Sequence, residues 1–152
     1  MQLLKTTFSN KLKYKEQFSN FYMFQTLFIS EPIESMFQVY YQFNPKINKA
    51  VSIVVWTINN NIARIYTVET IHEYRKIGLA TELLKEVEKD CTEQEVTSIQ
   101  LSSLPSSINL YKKLGFIESN SNLRSKQDYL VHNVTEMHKT LEIKNNQCEL
   151  RF

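Results

Sequence analysis

The run Arg75-Lys76-Ile77-Gly78-Leu79-Ala80 brings together residue types that hold phosphate. The 152-residue chain contains only two glycines, Gly78 and Gly115, so the place of each carries information. Gly78 falls between a strand-like run and an amphipathic, helix-like run. A helix N-terminus exposes N–H groups that have no partner in the helix, together with the positive end of the helix dipole, and anions bind there. A side chain on that first turn would obstruct a pyrophosphate. Gly78 and small Ala80 keep the backbone approachable, while Arg75 and Lys76 add positive charge. The chemistry so described is a phosphate cradle at a strand–helix junction. On these residues alone a plainer reading stays open, in which Gly78 only permits a turn.

The junction needs a strand before it and a helix after it. Residues 61–71, "NIARIYTVETI", supply the strand pattern, and Leu79, Leu83, Leu84 and Val87 mark one face of a helix over about 78–91. Lys85, Glu86, Glu88 and Lys89 form its solvated face. Upstream, "MQLLK" reads as a short strand. Residues 11–30 carry Leu12, Phe18, Tyr22, Phe24, Leu27 and Phe28 at helical spacing, and Pro32 marks a turn at 31–35. Residues 35–43 alternate as a strand, and 50–58, nearly all β-branched or aromatic, read as a strand covered on both faces. Asn59, Asn60 and Asn61 separate two strands, and asparagine tolerates the left-handed conformations of a tight hairpin. Downstream come a strand at 96–104 and a short helix at 105–115, with Pro105 in its first turn and Gly115 at its C-terminal cap. A strand at "FIES", a polar loop at 120–127, and one long strand or a strand pair at 128–143 complete the pattern. The expected fold is α/β (α+β), a single domain over 1–152 with its core in about 1–143 and a polar tail at 144–152.

Composition narrows the partners. Apolar residues make up 42% and charged residues 22% of the chain, the balance of an ordinary globular protein. A net charge of +2 argues for neither nucleic acid nor an anionic membrane. Cys91 and Cys148 are far apart and form no framework, which fits free thiols in a reducing compartment and no metal site. The N-terminus lacks the apolar core of a signal peptide, and no run approaches the roughly 18 apolar residues of a membrane helix. A cytoplasmic protein is expected.

The stretch 75–80 resembles the R/Q-x-x-G-x-G/A motif of the GNAT superfamily of acyl-CoA-dependent N-acetyltransferases. It follows the strand "RIYTVETI" and precedes the helix "ATELLKEVE", as that family requires. A second run, "SSINLYKKLGF" at 106–116, is similar to the family's helix ending in Leu-Tyr-x-Lys-x-Gly-Phe, so both glycines fall on motif positions. The resemblance implies a mixed, mostly antiparallel central sheet of six to seven strands with about four helices, splayed between strands 4 and 5. It implies acetyl-CoA as cofactor and an amine as acceptor. The backbone of residues Lys76, Ile77, Gly78, Leu79 and Ala80 would hold the coenzyme A pyrophosphate, with Arg75 shaping the loop. Val68, Glu69 and Thr70 would pair their backbone with the pantetheine arm as an added strand.

The implied reaction is acyl transfer: an amine attacks the thioester carbonyl, an oxyanion forms and thiolate leaves. A backbone N–H near Val68–Thr70 would stabilise the oxyanion. Tyr111, at the family's tyrosine position, would protonate or hydrogen-bond the thiolate; the plainer alternative is an aromatic packed on the sheet. Glu69 is a candidate general base, and His72, Gln100 and Ser102 are further candidates for handling an amine or a water. His132 and His138 are expected to be structural or exposed. The chain departs from the family at Lys76, where another glycine is common, and at Leu104 and Ser107, where Asn and Ala are common. The acceptor is not defined: the residues that would select it, around 15–35 and 120–135, match no known pattern, and the acidic run at 88–95 reads as a solvated helix end. A homodimer is left open. Two other readings compete with the enzyme: a non-catalytic acyl-CoA-binding module of the same fold, and a protein-interaction module without cofactor.

Overall fold

Two adjacent asparagines make the tightest connection in the sheet. Asn60 and Asn61 adopt φ of 53° and 65°, the left-handed pair that a two-residue hairpin needs. They join β3 (Lys49–Asn59) to β4 (Ile62–Thr70). The remaining strands are β1 (Gln2–Thr7), β2 (Gln38–Asn44), β5 (Ser98–Ser103), β6 (Ile117–Glu118) and β7 (Thr135–Thr140). Helix α1 spans Leu79–Glu93 and helix α2 spans Ile108–Lys113, the latter entered through a 3-10 turn at Pro105–Ser107. This computed structural model describes residues 1–7, 18, 20–21, 37–119 and 133–142.

The seven strands are hydrogen-bonded in the order β1-β2-β3-β4-β5-β7-β6. The sheet is mostly antiparallel, as expected, and β4–β5 is its parallel pair. That pair is short. Ile62–Ile65 lie against Ser98–Leu101, and β4 then runs on to Thr70. The described residues contain two α-helices where about four were expected. The expected N-terminal helix at 11–30 lies outside the described residues apart from Phe18, Asn20 and Phe21, as do the turn at 31–35, the loop at 120–127, His132 and the tail with Cys148. No helix of the described residues is long and apolar enough to cross a membrane.

The chain divides into two compact units. The first comprises Met1–Thr57 with Tyr66–Asp90, the second Ile58–Ile65 with Cys91–Phe152. In the first unit every residue from Ala50 to Trp56 is buried, which explains the unbroken apolar run. Ile53 and Val55 join Val39, Tyr41, Phe37, Phe18 and Phe21 in one core cluster. Across the sheet, Tyr40 meets the Trp56 ring edge-on at 5.4 Å and donates its hydroxyl to Asp90 of α1 at 2.5 Å. Lys5 of β1 pairs with Glu86 at 2.6 Å and Asp90 at 2.8 Å, fastening the outer strand to the helix. Partial burial pushes the Asp90 carboxyl up, but the hydrogen bonds from Lys5 and Tyr40 outweigh it and hold the group below its usual range.

Both helices end in the same hydrogen-bond motif. In α1, Val96 N–H reaches Cys91 O at 3.0 Å and Glu95 N–H reaches Thr92 O at 3.3 Å, with Glu95 at φ 60°. In α2, Phe116 N–H reaches Tyr111 O and Gly115 N–H reaches Lys112 O, each at 3.0 Å, with Gly115 at φ 96°. These are Schellman caps, which set a left-handed residue just past the helix and press the next side chain back onto its last turn. Phe116 does so against Tyr111, with ring centroids 5.8 Å apart. Lys139 of β7 donates to Leu114 O at 2.7 Å and satisfies a further terminal carbonyl.

Gly115→Ala should therefore destabilise the protein by about 1–2 kcal/mol, the cost of an L-residue in the left-handed region. A Cβ there would also meet the Lys139 side chain at 3.0 Å. Urea unfolding checks this, and Gly115→Asn should lose less than Gly115→Ala because asparagine tolerates that conformation better.

Candidate functional site

The strand–helix junction around Gly78 lies wholly within the first unit. Ile71 N–H bonds Val51 O at 3.0 Å, which holds the end of β4 against β3. The chain then makes a 3-10 turn at His72–Tyr74, with Tyr74 N–H on Ile71 O at 2.9 Å and Arg75 N–H on His72 O at 3.3 Å. Asn44 Nδ2 donates to the Tyr74 hydroxyl at 2.9 Å and pins the turn. Lys76 takes φ 66° and Gly78 φ 87°, so the loop reverses through two left-handed residues. The first helical bond runs from Glu82 N–H to Gly78 O at 3.0 Å. Leu79, Ala80 and Thr81 accordingly offer N–H groups that have no partner inside the helix. Buried Leu79 roots the helix start in the core, while Arg75, Lys76, Ile77 and Gly78 are exposed.

The φ of Gly78 favours glycine, and a Cβ built on it would meet nothing within 4 Å among the described residues beyond its own chain neighbours. The space beside Gly78 therefore leaves room for a side chain, and what favours glycine there is its φ. Such a surface, with a helix N-terminus and two cations, fits a phosphate-bearing ligand. Lys76 occupies a conformation that costs an L-residue about 1–2 kcal/mol and glycine little. The departure from glycine at this position thus exchanges backbone ease for a positive charge.

Arg75 donates Nε–H to Thr70 O at 2.8 Å, tying the loop to the strand end. Ser52, fully buried on β3, shares a 2.7 Å hydrogen bond with the Thr70 hydroxyl and donates to Glu69 O at 3.3 Å. The carbonyl and hydroxyl of Thr70 are thus both engaged by the protein. Val68, Glu69 and Thr70 are each half-buried, and His72 is exposed at the start of the turn.

Tyr111 belongs to the second unit. It sits on α2, 7% exposed, and burial pushes its phenol up to about 12. The Schellman cap fixes its ring against Phe116. The same unit holds a polar cluster that sequence reading finds only in part. Arg64 of β4 donates to Glu136 Oε1 of β7 at 2.9 Å and to Ser102 Oγ of β5 at 2.7 Å. Ser102 in turn donates to Glu136 Oε2. Ser102 stands opposite Glu136, and Gln100 opposite His138, in the antiparallel β5–β7 register. His138 Nδ1 lies 2.6 Å from Ser119 Oγ, so this histidine is hydrogen-bonded and half-buried. Sequence position singles out Gln100 and Ser102 but neither Arg64 nor Glu136. Their signal is faint: each is a charged residue inside a strand-like run, and 72 positions separate them. Among the described residues no group of His, Cys, Asp and Glu could hold a metal ion.

The family model for an acetyltransferase (GNAT) domain matches residues 14–141. A search of curated proteins by sequence finds no match. Solved structures share the fold. A GNAT-family acetyltransferase from Staphylococcus aureus is 19% identical, with a TM-score of 0.67, over 91% of this chain and 100% of its own. The PaiA N-acetyltransferase of Thermoplasma acidophilum, solved in complex with coenzyme A, is 13% identical, with a TM-score of 0.61, over 93% of this chain and 100% of its own.

Burial of Tyr111 predicts a pH dependence with a definite sign. Below pH 10, an unfolded tyrosine and folded Tyr111 both keep their protons. Between about 10 and about 12 only the folded state keeps its proton, so stability falls as pH rises through that window. Ultraviolet titration should show a tyrosine component ionising near 12 that Tyr111→Phe removes. A phenolate signal at 12 unchanged in the variant would contradict the assignment.

Proposed function

The chain belongs to the GNAT acetyltransferase family and is an acyl-CoA N-acyltransferase, and on that premise we propose that it transfers an acetyl group from acetyl-CoA to a primary amine by direct attack. The carrying observation is the junction at Gly78. There a left-handed glycine, with open space among the described residues where a Cβ would sit, opens a helix beside Arg75 and Lys76. The residue types and the loop geometry fit the diphosphate of coenzyme A.

In this reading the backbone from Lys76 to Ala80 receives the pyrophosphate, and Arg75 keeps the loop in shape through Thr70 O. Bound acetyl-CoA supplies a thioester carbonyl and a thiol leaving group. Val68, Glu69 and Thr70 align the pantetheine arm by strand-like pairing. One N–H of that strip stabilises the negative charge developing on the carbonyl oxygen. Tyr111 donates a hydrogen bond to the departing sulfur. A phenol held near 12 does not surrender its proton to a thiolate of ordinary basicity, since that transfer runs uphill by about 5 kcal/mol. Its contribution is the hydrogen bond itself. Glu69, half-buried beside the reactive strip, is the candidate base on β4. The acceptor is a small-molecule or protein amine. A net charge of +2 gives no argument for nucleic acid or an anionic membrane as partner, and the location proposed is cytoplasmic.

Isothermal calorimetry and thermal shift with coenzyme A test the reading. A ligand at 100 times its Kd raises stability by about 2.7 kcal/mol, so a clear rise in Tm is expected. Gly78→Glu sets bulk and negative charge in the cradle and should lower coenzyme A affinity at least tenfold while the fold persists; equal affinity would remove the cradle. Tyr111→Phe should lower kcat roughly 10- to 150-fold, the worth of one hydrogen bond to a charged group, with coenzyme affinity nearly unchanged.

A further inference from the structure

Beyond Ile65 and Leu101 the β4–β5 pairing stops, and the next residue on β5 is Ser102. Three strands of one unit deliver polar side chains to that point. Arg64 gives one N–H to Glu136 Oε1 at 2.9 Å and another to Ser102 Oγ at 2.7 Å, while Ser102 gives its proton to Glu136 Oε2. Glu136 is 8% exposed. Stability is weak ground for the cluster, because the desolvation of the half-buried Arg64 and buried Glu136 offsets much of what their pairing gains. Hydrogen-bond capacity points elsewhere. A serine hydroxyl has one proton and two lone pairs. Glu136 takes the proton and Arg64 one lone pair, which leaves a single lone pair held in a fixed direction.

We propose that Ser102 receives the acceptor amine on that lone pair and relays the amine proton to Glu136, with Arg64 positioning both. The inference rests on the acyl-transfer reading and supplies a proton route that Glu69 alone does not define. As the amine nitrogen forms its bond to the acyl carbon, an N–H bond breaks and its electron pair stays on nitrogen. The proton passes to Ser102 Oγ while the proton of Ser102 passes to Glu136 Oε2. The carbon–sulfur bond breaks with its pair on sulfur, and Glu136 later returns its proton to water. Ser102 touches the reacting nitrogen, Glu136 is the terminal proton acceptor and Arg64 is a positioning residue.

The test uses the full chain with n-butylamine as acceptor probe. Thiol release from acetyl-CoA gives kcat and KM, calorimetry gives coenzyme A affinity, and ligand-observed NMR follows n-butylamine binding to the coenzyme A complex. Ser102→Ala should lose roughly 100-fold or more in kcat/KM, weaken n-butylamine binding and leave coenzyme A affinity within about twofold. Ser102→Thr, which keeps the hydroxyl, should recover most of the rate. Glu136→Gln should lower kcat with little change in the KM for n-butylamine, and its thermal unfolding checks that the sheet survives. A Ser102→Ala protein with parental turnover and amine affinity overturns the inference, even if its Tm falls, and leaves the acyl-transfer reading intact. A parent protein that binds coenzyme A yet releases no thiol with n-butylamine overturns that reading and the inference with it.

Discussion

A parallel strand pair hydrogen-bonded over only four residues is the constraint on which the rest depends. Ile62–Ile65 lie against Ser98–Leu101, and past that point neither strand continues the ladder. Backbone polar groups away from water need partners, so a strand pair that parts must satisfy them by other means. Arg75 takes the carbonyl of Thr70. On β5, Ser102 is drawn into bonds with Arg64 and Glu136 at the first position beyond the pair. Arg64, within the β4–β5 pair, and Glu136, opposite Ser102 in the β5–β7 ladder, meet it from the two flanking strands.

Chain reversal is the second organising demand, and a chain with two glycines meets it unevenly. Asn48, Asn60 and Asn61 take positive φ in the connections between β2, β3 and β4, where asparagine is tolerated. Glu95 takes it at the cap of α1, with Val96 buried as the compensating apolar contact. Lys76 takes it at the candidate site, where backbone strain commonly concentrates. The glycines are kept for Gly78 and Gly115. One leaves a helix N-terminus bare; the other locks Tyr111 and Phe116 together at a helix C-terminus.

Much of this is legible from the residues. The β-branched run at 50–58 announces a strand buried on both faces, and Ala50–Trp56 are all buried. Three successive asparagines announce a hairpin, and the turn uses the last two. Leu79, Leu83, Leu84 and Val87 mark the buried face of α1, and all four are buried. The helix runs on to Glu93 rather than stopping near 91, because its cap uses a glutamate that no glycine or proline signals. The stretch 105–115 begins as a 3-10 turn, in which Ser107 N–H bonds Leu104 O at 3.0 Å. The helical spacing at 11–30 stands outside the described residues apart from its three isolated positions.

The sequence by itself determined the element order, the family motifs and the two glycine junctions, because turn chemistry and periodicity are local properties. Tertiary structure alone decided which distant charges meet. Arg64 and Glu136 are 72 positions apart, and Lys5 and Asp90 are 85 apart. Nothing in either member of such a pair names the other, since strand order and register bring them together. The burial that raises the Tyr111 phenol to about 12 has the same origin. Desolvation depends on what packs around a side chain, and a linear pattern of residue types does not record it.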